Sequence, residues 1–277
     1  MKLHYWGTAA AEGMPAIFCR CENCTRARKL GGRNLRTRSQ ALLDETILID
    51  PNPDTFANSL RYGFSLIEVK HVLVTHAHID HFYPEDLVNR TKHFSHFCGE
   101  IFPVTLYGSK AVTDKLAEMI SGNPSRFEGY VRFVTLEPFV EVDIAGYTVV
   151  PLPAVHSAGP FVYQISKDGK TFLYGNDSGV FEDRVFDYWK ERGVRFDFVS
   201  LDCTEACRVI NYAHHMNFER NLLVRDRMLA IGAADANTQF CANHFSHNGT
   251  SVVYDDFVPI AAKEGFLVTY DGMTVEI

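Results

Sequence analysis

The chain has 277 residues, 46% of them hydrophobic, and 27 basic against 34 acidic side chains give a net charge of −7 at pH 7. That length and composition support one substantial core, expected as a single domain over residues 1–277, with no repeat, linker or low-complexity tract. The dispersed acidity argues against a broad nucleic-acid face but leaves a small anionic substrate open, since bound cations reverse a local field.

The N-terminal "MKLHYWGTAAAEGMP" lacks the apolar run of a signal peptide, and no stretch approaches a membrane span, so a cytoplasmic protein with no membrane partner is expected. "KLHYW" reads as a strand. "CRCENC" then groups Cys19, Cys21 and Cys24, and the basic run from Arg26 to Arg38 reads as a solvated loop. The other four cysteines are scattered among apolar residues and read mostly as buried small hydrophobes. "QALLD" and "TILID" form a hairpin-like strand pair, and "HVLVT" is another strand. "PEDLVNRTKHF" and "SKAVTDKLAEMI" have helical spacing on either side of the strand "VTLYG", with His93, Phe94, His96 and Phe97 on a helix face. "YTVVPLP", "FVYQI", "TFLYG", "FDFVSLD" and "TQFCAN" continue the strands. "VFEDRVFDYWKER", "FERNLLVRDRMLAIGA" and "DDFVPIAAKEG" are the intervening helices. This is a mixed α/β layout with sheets covered by helices.

Four of these strands run straight into a possible metal ligand: His76, His156, Asp177 and His244. Sites gather where loops leave the ends of a rigid sheet. After "HVLVT" the chain reads H-x-H-x-D-H. His76 and His78 are two apart, so in extended chain they leave on the same side and grip one ion. Asp80 and His81 face a second. The residues at 156, 177 and 244 complete two sites, with one carboxylate able to bridge. Imidazole suits zinc; carboxylate also suits harder ions such as manganese. Asp202, ending "FDFVSLD", reads as a residue that holds a ligand histidine from behind. The C-x-C-x₂-C trio is three quarters of a closed zinc site, with His247 and Cys241 as candidates for the fourth ligand.

"THAHIDH", "PAVHSAG", "LYGNDSG" and "ANHFSH", in that order, resemble the metallo-β-lactamase superfamily. The resemblance implies an αββα sandwich with a dinuclear site at one edge. It implies that His76, His78 and His156 hold the first metal, that Asp80, His81 and His244 hold the second, and that Asp177 bridges them. His78 stands where the flavodiiron branch has Glu, which favours hydrolysis over redox chemistry. "GTAAAEGMPAIFCRCENCTRAR", "HFSH" and "GFLVTYDGM" are similar to the PhnP-like branch of cyclic phosphate phosphodiesterases. That branch pairs an N-terminal Cys trio with a second His three residues after the catalytic one, which here is His247 and makes a structural zinc site. In the same branch a His before the helix at "HHMNFERN" serves as general acid, and His215 matches it.

Two ions close together bring the pKa of a shared water towards neutrality, and Asp80 can orient the hydroxide that forms. The expected function is therefore a metal-dependent hydrolase carrying two divalent ions (Zn or Mn) and one structural Zn. Its expected substrate is a small cyclic or nucleotide-like phosphodiester. Alternatives are a thioesterase or lactonase of the same fold, or a biosynthetic or binding protein like PqqB, which shares a similar Cys cluster. Nucleic acid is disfavoured as a partner because no long arm for gripping RNA is visible. A homodimer is left open.

Overall fold

The computed structural model describes residues 1–157 and 159–277. Among them, fourteen strands form two seven-stranded sheets. The first sheet has the order β14-β1-β2-β3-β4-β5-β6, from β1 (Lys2–Gly7), β2 (Gln40–Leu43), β3 (Ile47–Ile49), β4 (His71–Leu73), β5 (Val104–Gly108), β6 (Val131–Thr135) and β14 (Thr274–Glu276). The second has the order β13-β12-β11-β10-β9-β8-β7, from β7 (Val142–Ile144), β8 (Tyr147–Pro153), β9 (Phe161–Lys167), β10 (Lys170–Gly175), β11 (Phe198–Asp202), β12 (Gln239–Asn243) and β13 (Phe266–Val268). The helices are α1 (Glu22–Leu30), α2 (Thr55–Tyr62), α3 (Lys110–Ser121), α4 (Pro124–Phe127), α5 (Asp183–Arg192), α6 (Phe218–Ala230) and α7 (Tyr254–Lys263). None is long and apolar enough to cross a membrane among the described residues.

Strand residues alternate between two buried faces, which is why these strands read as continuous apolar runs. Ala41, Leu43, Ile47 and Ile49 point into the space between the sheets, where they meet Tyr147, Tyr163, Phe172 and Tyr174. Leu42 and Leu48 point outward and pack with Val112 and Leu116 of α3. On the far side, Leu173, Val199 and Phe240 pack beneath Trp189, Met228 and Phe257 of α5, α6 and α7. The result is the αββα sandwich expected from the sequence.

The expected strands are all present; β6, β7, β13 and β14 were not anticipated. The basic run is not a solvated loop. Its first part is α1, capped by the Cys21 side chain, which accepts from the Cys24 amide. Arg36 is buried, donating to Thr8 and to the Thr269 carbonyl over the Phe245 ring. The expected helix from Pro84 shortens to a 3₁₀ stretch, Pro84–Arg90. His93, Phe94 and His96 follow it as exposed loop residues, with Phe97 partly buried, so they form no helix face. Cys98 is exposed rather than buried, and Cys207 is only partly covered.

The strands β3 to β6 run parallel, as do β10 to β13, so their carboxyl ends meet along one edge of the sandwich. Cross-links fasten the sheets there. The Tyr163 hydroxyl of β9 donates to the Val74 carbonyl at 2.6 Å, and the Phe161 amide donates to the Thr75 carbonyl at 2.9 Å. Both carbonyls immediately precede His76. Tyr163→Phe leaves a buried carbonyl unpaired and should lower stability by about 1–3 kcal/mol, read by urea denaturation; an unchanged midpoint would contradict this role.

Candidate metal centre and active site

The loops leaving that edge carry the titratable residues. Asp50 follows β3, His76 follows β4, Asp177 follows β10 and His244 follows β12. Asp50, Asp177 and His244 have φ of 58°, 52° and 64°. This left-handed conformation is uncommon outside glycine and clusters at functional sites.

Three overlapping donor groups result, all sharing Asp177; the third joins it to Asp202, His215 and His244. In the first, His76, His78, His156 and Asp177 offer ligand atoms within 4.8 Å of one another; in the second, Asp80, His81, Asp177 and His244 do the same. The Asp177 Oδ2 atom belongs to both. It lies 3.1 Å from His76 Nε2, 3.3 Å from His81 Nε2, 3.4 Å from His156 Nε2 and 3.9 Å from His244 Nε2. Ring nitrogens also face one another. His78 Nδ1 is 3.0 Å from His76 Nε2 and 3.3 Å from His156 Nε2, and His81 Nε2 is 3.3 Å from His244 Nε2. Neutral rings so crowded cannot all satisfy their lone pairs with protons. A cation between them would.

Each group is held from behind. Asp50, fully buried, accepts from the Thr75 amide at 2.8 Å and from its hydroxyl, and lies 2.8 Å from His81 Nδ1. That bond turns His81 Nε2 towards the centre. On the other sheet Asp202, also fully buried, accepts from the Thr204 hydroxyl and the Met216 amide, and its Oδ2 lies 3.3 Å from His244 Nδ1. Carboxylates that orient ligand histidines fix tautomer and direction.

His215 sits between two carboxylates, its Nδ1 3.1 Å from Asp177 Oδ1 and 3.2 Å from Asp202 Oδ2. The loop carrying it passes close over Gly179, where a Cβ would lie 1.7 Å from the Ala213 carbonyl oxygen. The glycine of "NDSG" therefore lets this loop close over the centre. His78, Asp80, His156, Asp177, His215 and His244 line one cavity of about 520 Å³, together with Glu12, Glu205, Tyr212 and His214.

The electrostatics are those of a site short of positive charge. Burial lowers the pKa of His76, and lowers that of His156 to about 4, which keeps both rings neutral at pH 7. Burial opposes the charge on Asp177 and Asp80, but His244 and its neighbours hold the first well below the carboxylate range, and His81 does so for the second. Asp202 falls to about 2 for the same reason, against burial and through His215. His81 and His215 are pulled up against their burial, the former by Asp50 and the latter, to about 11, by Asp202. Four buried carboxylates thus draw in every positive charge available.

A second cluster lies apart. Cys19, Cys21, Cys24 and His247 offer ligand atoms within 4.8 Å of one another, with Cys21 Sγ 3.5 Å from His247 Nδ1. Asn23 clips the loop by donating to the His247 and Gly249 carbonyls. Cys241, the other candidate for the fourth ligand, is buried between the sheets.

The structure therefore brings His76, His78, Asp80, His81, His156, Asp177, His244 and His215 to one centre, and the trio to His247. Sequence reasoning missed Asp50, Thr75 and Thr204. Asp50 carried the same signal as the others, a carboxylate ending an apolar strand.

The profile of the "Beta-lactamase superfamily domain" family matches residues 45–234, more than half of the chain. A ribonuclease Z from Staphylococcus carnosus is 27% identical over 120 residues; the match spans 43% of this chain but only 38% of the relative's length. Among solved structures, a diphosphatase from the PhnP family aligns with a TM-score of 0.72 at 19% identity, over all of this chain and 97% of the other. Zn(2+)-bound PqqB from Methylobacterium extorquens aligns at 0.69 and 18%, over all of both chains. Human tRNase Z, short form, aligns at 0.68 and 16%, over all of this chain and 99% of the other.

The His156 ring gives a pH test in protein stripped of ions with chelator. The unfolded chain takes up this proton near the ordinary pKa of about 6.5, the folded one only near about 4. A lowered histidine pKa makes stability fall as pH drops through that window. Between about pH 7 and about pH 4.5, His156→Gln should therefore lose less stability than the wild type. An equal or larger loss in urea denaturation would contradict the assignment.

Proposed function

The chain belongs to the β-lactamase superfamily, and from that footing we propose that it is a metal-dependent hydrolase of small phosphodiesters, working with two divalent ions, Zn or Mn. The observation that carries the reading is that two of the four-donor groups, the one with His76 and the one with Asp80, meet at Asp177 Oδ2. In this reading His76, His78 and His156 hold one ion, Asp80, His81 and His244 hold the other, and Asp177 bridges. Such a pair would supply a water of lowered pKa and stabilise the negative charge of the phosphoryl group.

The chain's own residues do the rest. Asp80 lines the cavity and accepts a hydrogen bond from the attacking water, which orients it. His215 is anchored through Nδ1 on Asp202, so Nε2 remains to hand a proton to the leaving oxygen. Asp202 holds that ring in place and compensates its charge, and Thr204 keeps Asp202 oriented. Asp50 aims His81 in the same way. The likeness to a diphosphatase and a ribonuclease supports phosphate-ester chemistry over lactones or thioesters. The 520 Å³ volume of the cavity and the net charge of −7 support a small molecule over a nucleic-acid strand. The Cys19, Cys21, Cys24 and His247 cluster is read as a structural zinc site, tying the N-terminal loop to a residue more than 220 positions away.

Purified protein should carry two ions at the catalytic centre and a third at the cysteine cluster, and a chelator should abolish hydrolysis of bis(p-nitrophenyl) phosphate. Asp80→Ala should remain folded and lose most activity. His215→Ala should reduce turnover of a cyclic sugar phosphate by about 10²–10⁴-fold, as for loss of a general acid. It should spare p-nitrophenyl diesters, because p-nitrophenolate departs without a proton. Equal losses on both substrates would overturn the acid role, and an active Asp80→Ala enzyme would overturn the reading as a whole.

Cys21→Ser should lose one zinc and lower the melting temperature while the catalytic ions stay bound, since closed zinc sites contribute directly to folding. Full zinc content in that variant would show that the trio holds none.

A further inference from the structure

The catalytic cavity has walls that the donor groups leave unexplained. Among the described residues no lysine or arginine side chain lines it, yet two glutamates, Glu12 and Glu205, do. Glu205 is already engaged. Its Oε1 takes the Tyr212 hydroxyl, and its Oε2 takes Arg208 Nη1 at 3.3 Å. Arg208 also reaches the Asn248 carbonyl, so this cation is held by the wall itself.

Glu12 is different. Its Oε1 collects the Ser246 hydroxyl at 2.6 Å, Asn248 Nδ2 at 3.1 Å and His247 Nε2 at 3.4 Å. Among the described residues no hydrogen bond within the protein goes to Oε2. The other nitrogen of His247 faces Cys21 Sγ. One end of this imidazole thus joins the cysteine cluster and the other fixes a carboxylate on the cavity wall. An ionised carboxylate is an acceptor only. A substrate group beside it must bring a donor, and a second phosphate there would face like charge with no lysine or arginine among the described lining residues to offset it.

Resting on the phosphodiesterase reading, we propose that this cavity selects a phosphodiester whose only anion is the reacting group and whose remaining part carries neutral hydroxyls. Glu12 is the specificity-determining residue that accepts from them through Oε2. The cysteine cluster, through His247, sets where that carboxylate stands. The cluster's role then extends past stability to the shape of the acceptor site.

Three ligands that differ at one end test this: propyl phosphate, 3-hydroxypropyl phosphate and propane-1,3-diyl bisphosphate. Calorimetric titration into the metal-loaded protein reads recognition without turnover, and the matching p-nitrophenyl diesters read it with turnover. The hydroxypropyl ligand should bind about tenfold more tightly than the propyl one, as for a hydrogen bond to a charged group, and the bisphosphate most weakly. Glu12→Gln should bring the first ratio towards one and shrink the bisphosphate penalty. Glu12→Asp, which keeps the charge, should retain that penalty. Zinc content and melting temperature establish that each variant is folded. Ratios unchanged in Glu12→Gln, or an equal loss on all three ligands, would overturn the proposal. Selective binding with no hydrolysis of any diester would overturn the phosphodiesterase reading and leave the recognition standing. Equal hydrolysis of all three would overturn the recognition alone.

Discussion

Asp50, Asp80, Asp177 and Asp202 put four carboxylates into one buried edge of the sandwich. Uncompensated, each would be penalised by several kcal/mol of lost hydration. Everything around them reads as a response to that charge. Six histidines converge on it, two threonine hydroxyls donate into it, and backbone amides of Thr75, Thr204 and Met216 point at it. The neutral rings of His76 and His156 cannot discharge it. The arrangement is therefore poised for cations, and its chemistry follows from that imbalance.

The two sheets solve the problem in the same way. On the first, an aspartate beyond β3 and a threonine beyond β4 brace His76 and His81. On the second, an aspartate ending β11 and a threonine two residues on brace His244 and His215. In each half the aspartate holds the threonine hydroxyl and the threonine touches the imidazoles. Ring directions are thus set by short, buried contacts at or just beyond the strand ends. Asp177, between them, is the residue through which both halves act on one point.

Much of this was legible in the chain. An apolar run broken by a histidine or aspartate marks a strand entering a polar site, and the six-residue "HAHIDH" could hardly be anything but a ligand cluster. The helices α3, α5, α6 and α7 announced themselves by their period. What escaped did so for physical reasons. The short edge strands β7, β13 and β14 have three residues each, too few to show alternation. Arg36 reads as solvent-facing by type, and only tertiary contacts with Thr8, Thr269 and Phe245 make its burial tolerable. Asp50 ends an apolar strand as the recognised ligands do, but its partners Thr75 and His81 lie 25 and 31 residues away, so its bracing role shows only in the fold. The run from Lys92 to Phe97 has aromatic residues at a helical interval, but it forms a loop in which Phe94 stays exposed and Phe97 is only partly buried.

One further consequence lies in the seam itself. The donors of the His76 group and of the Asp80 group come from both sheets, and the Tyr163 and Phe161 bonds to the Val74 and Thr75 carbonyls cross the same seam. Prying the sandwich open at this edge would separate His76 from Asp177 and His81 from His244. Any ion that binds only the closed arrangement therefore raises the free energy of that opening by linkage. Amide exchange in β4, β9 and β10 would then slow with metal concentration, while the outer strands β6 and β7 kept their own pace. That edge would become the last part of the molecule to come apart.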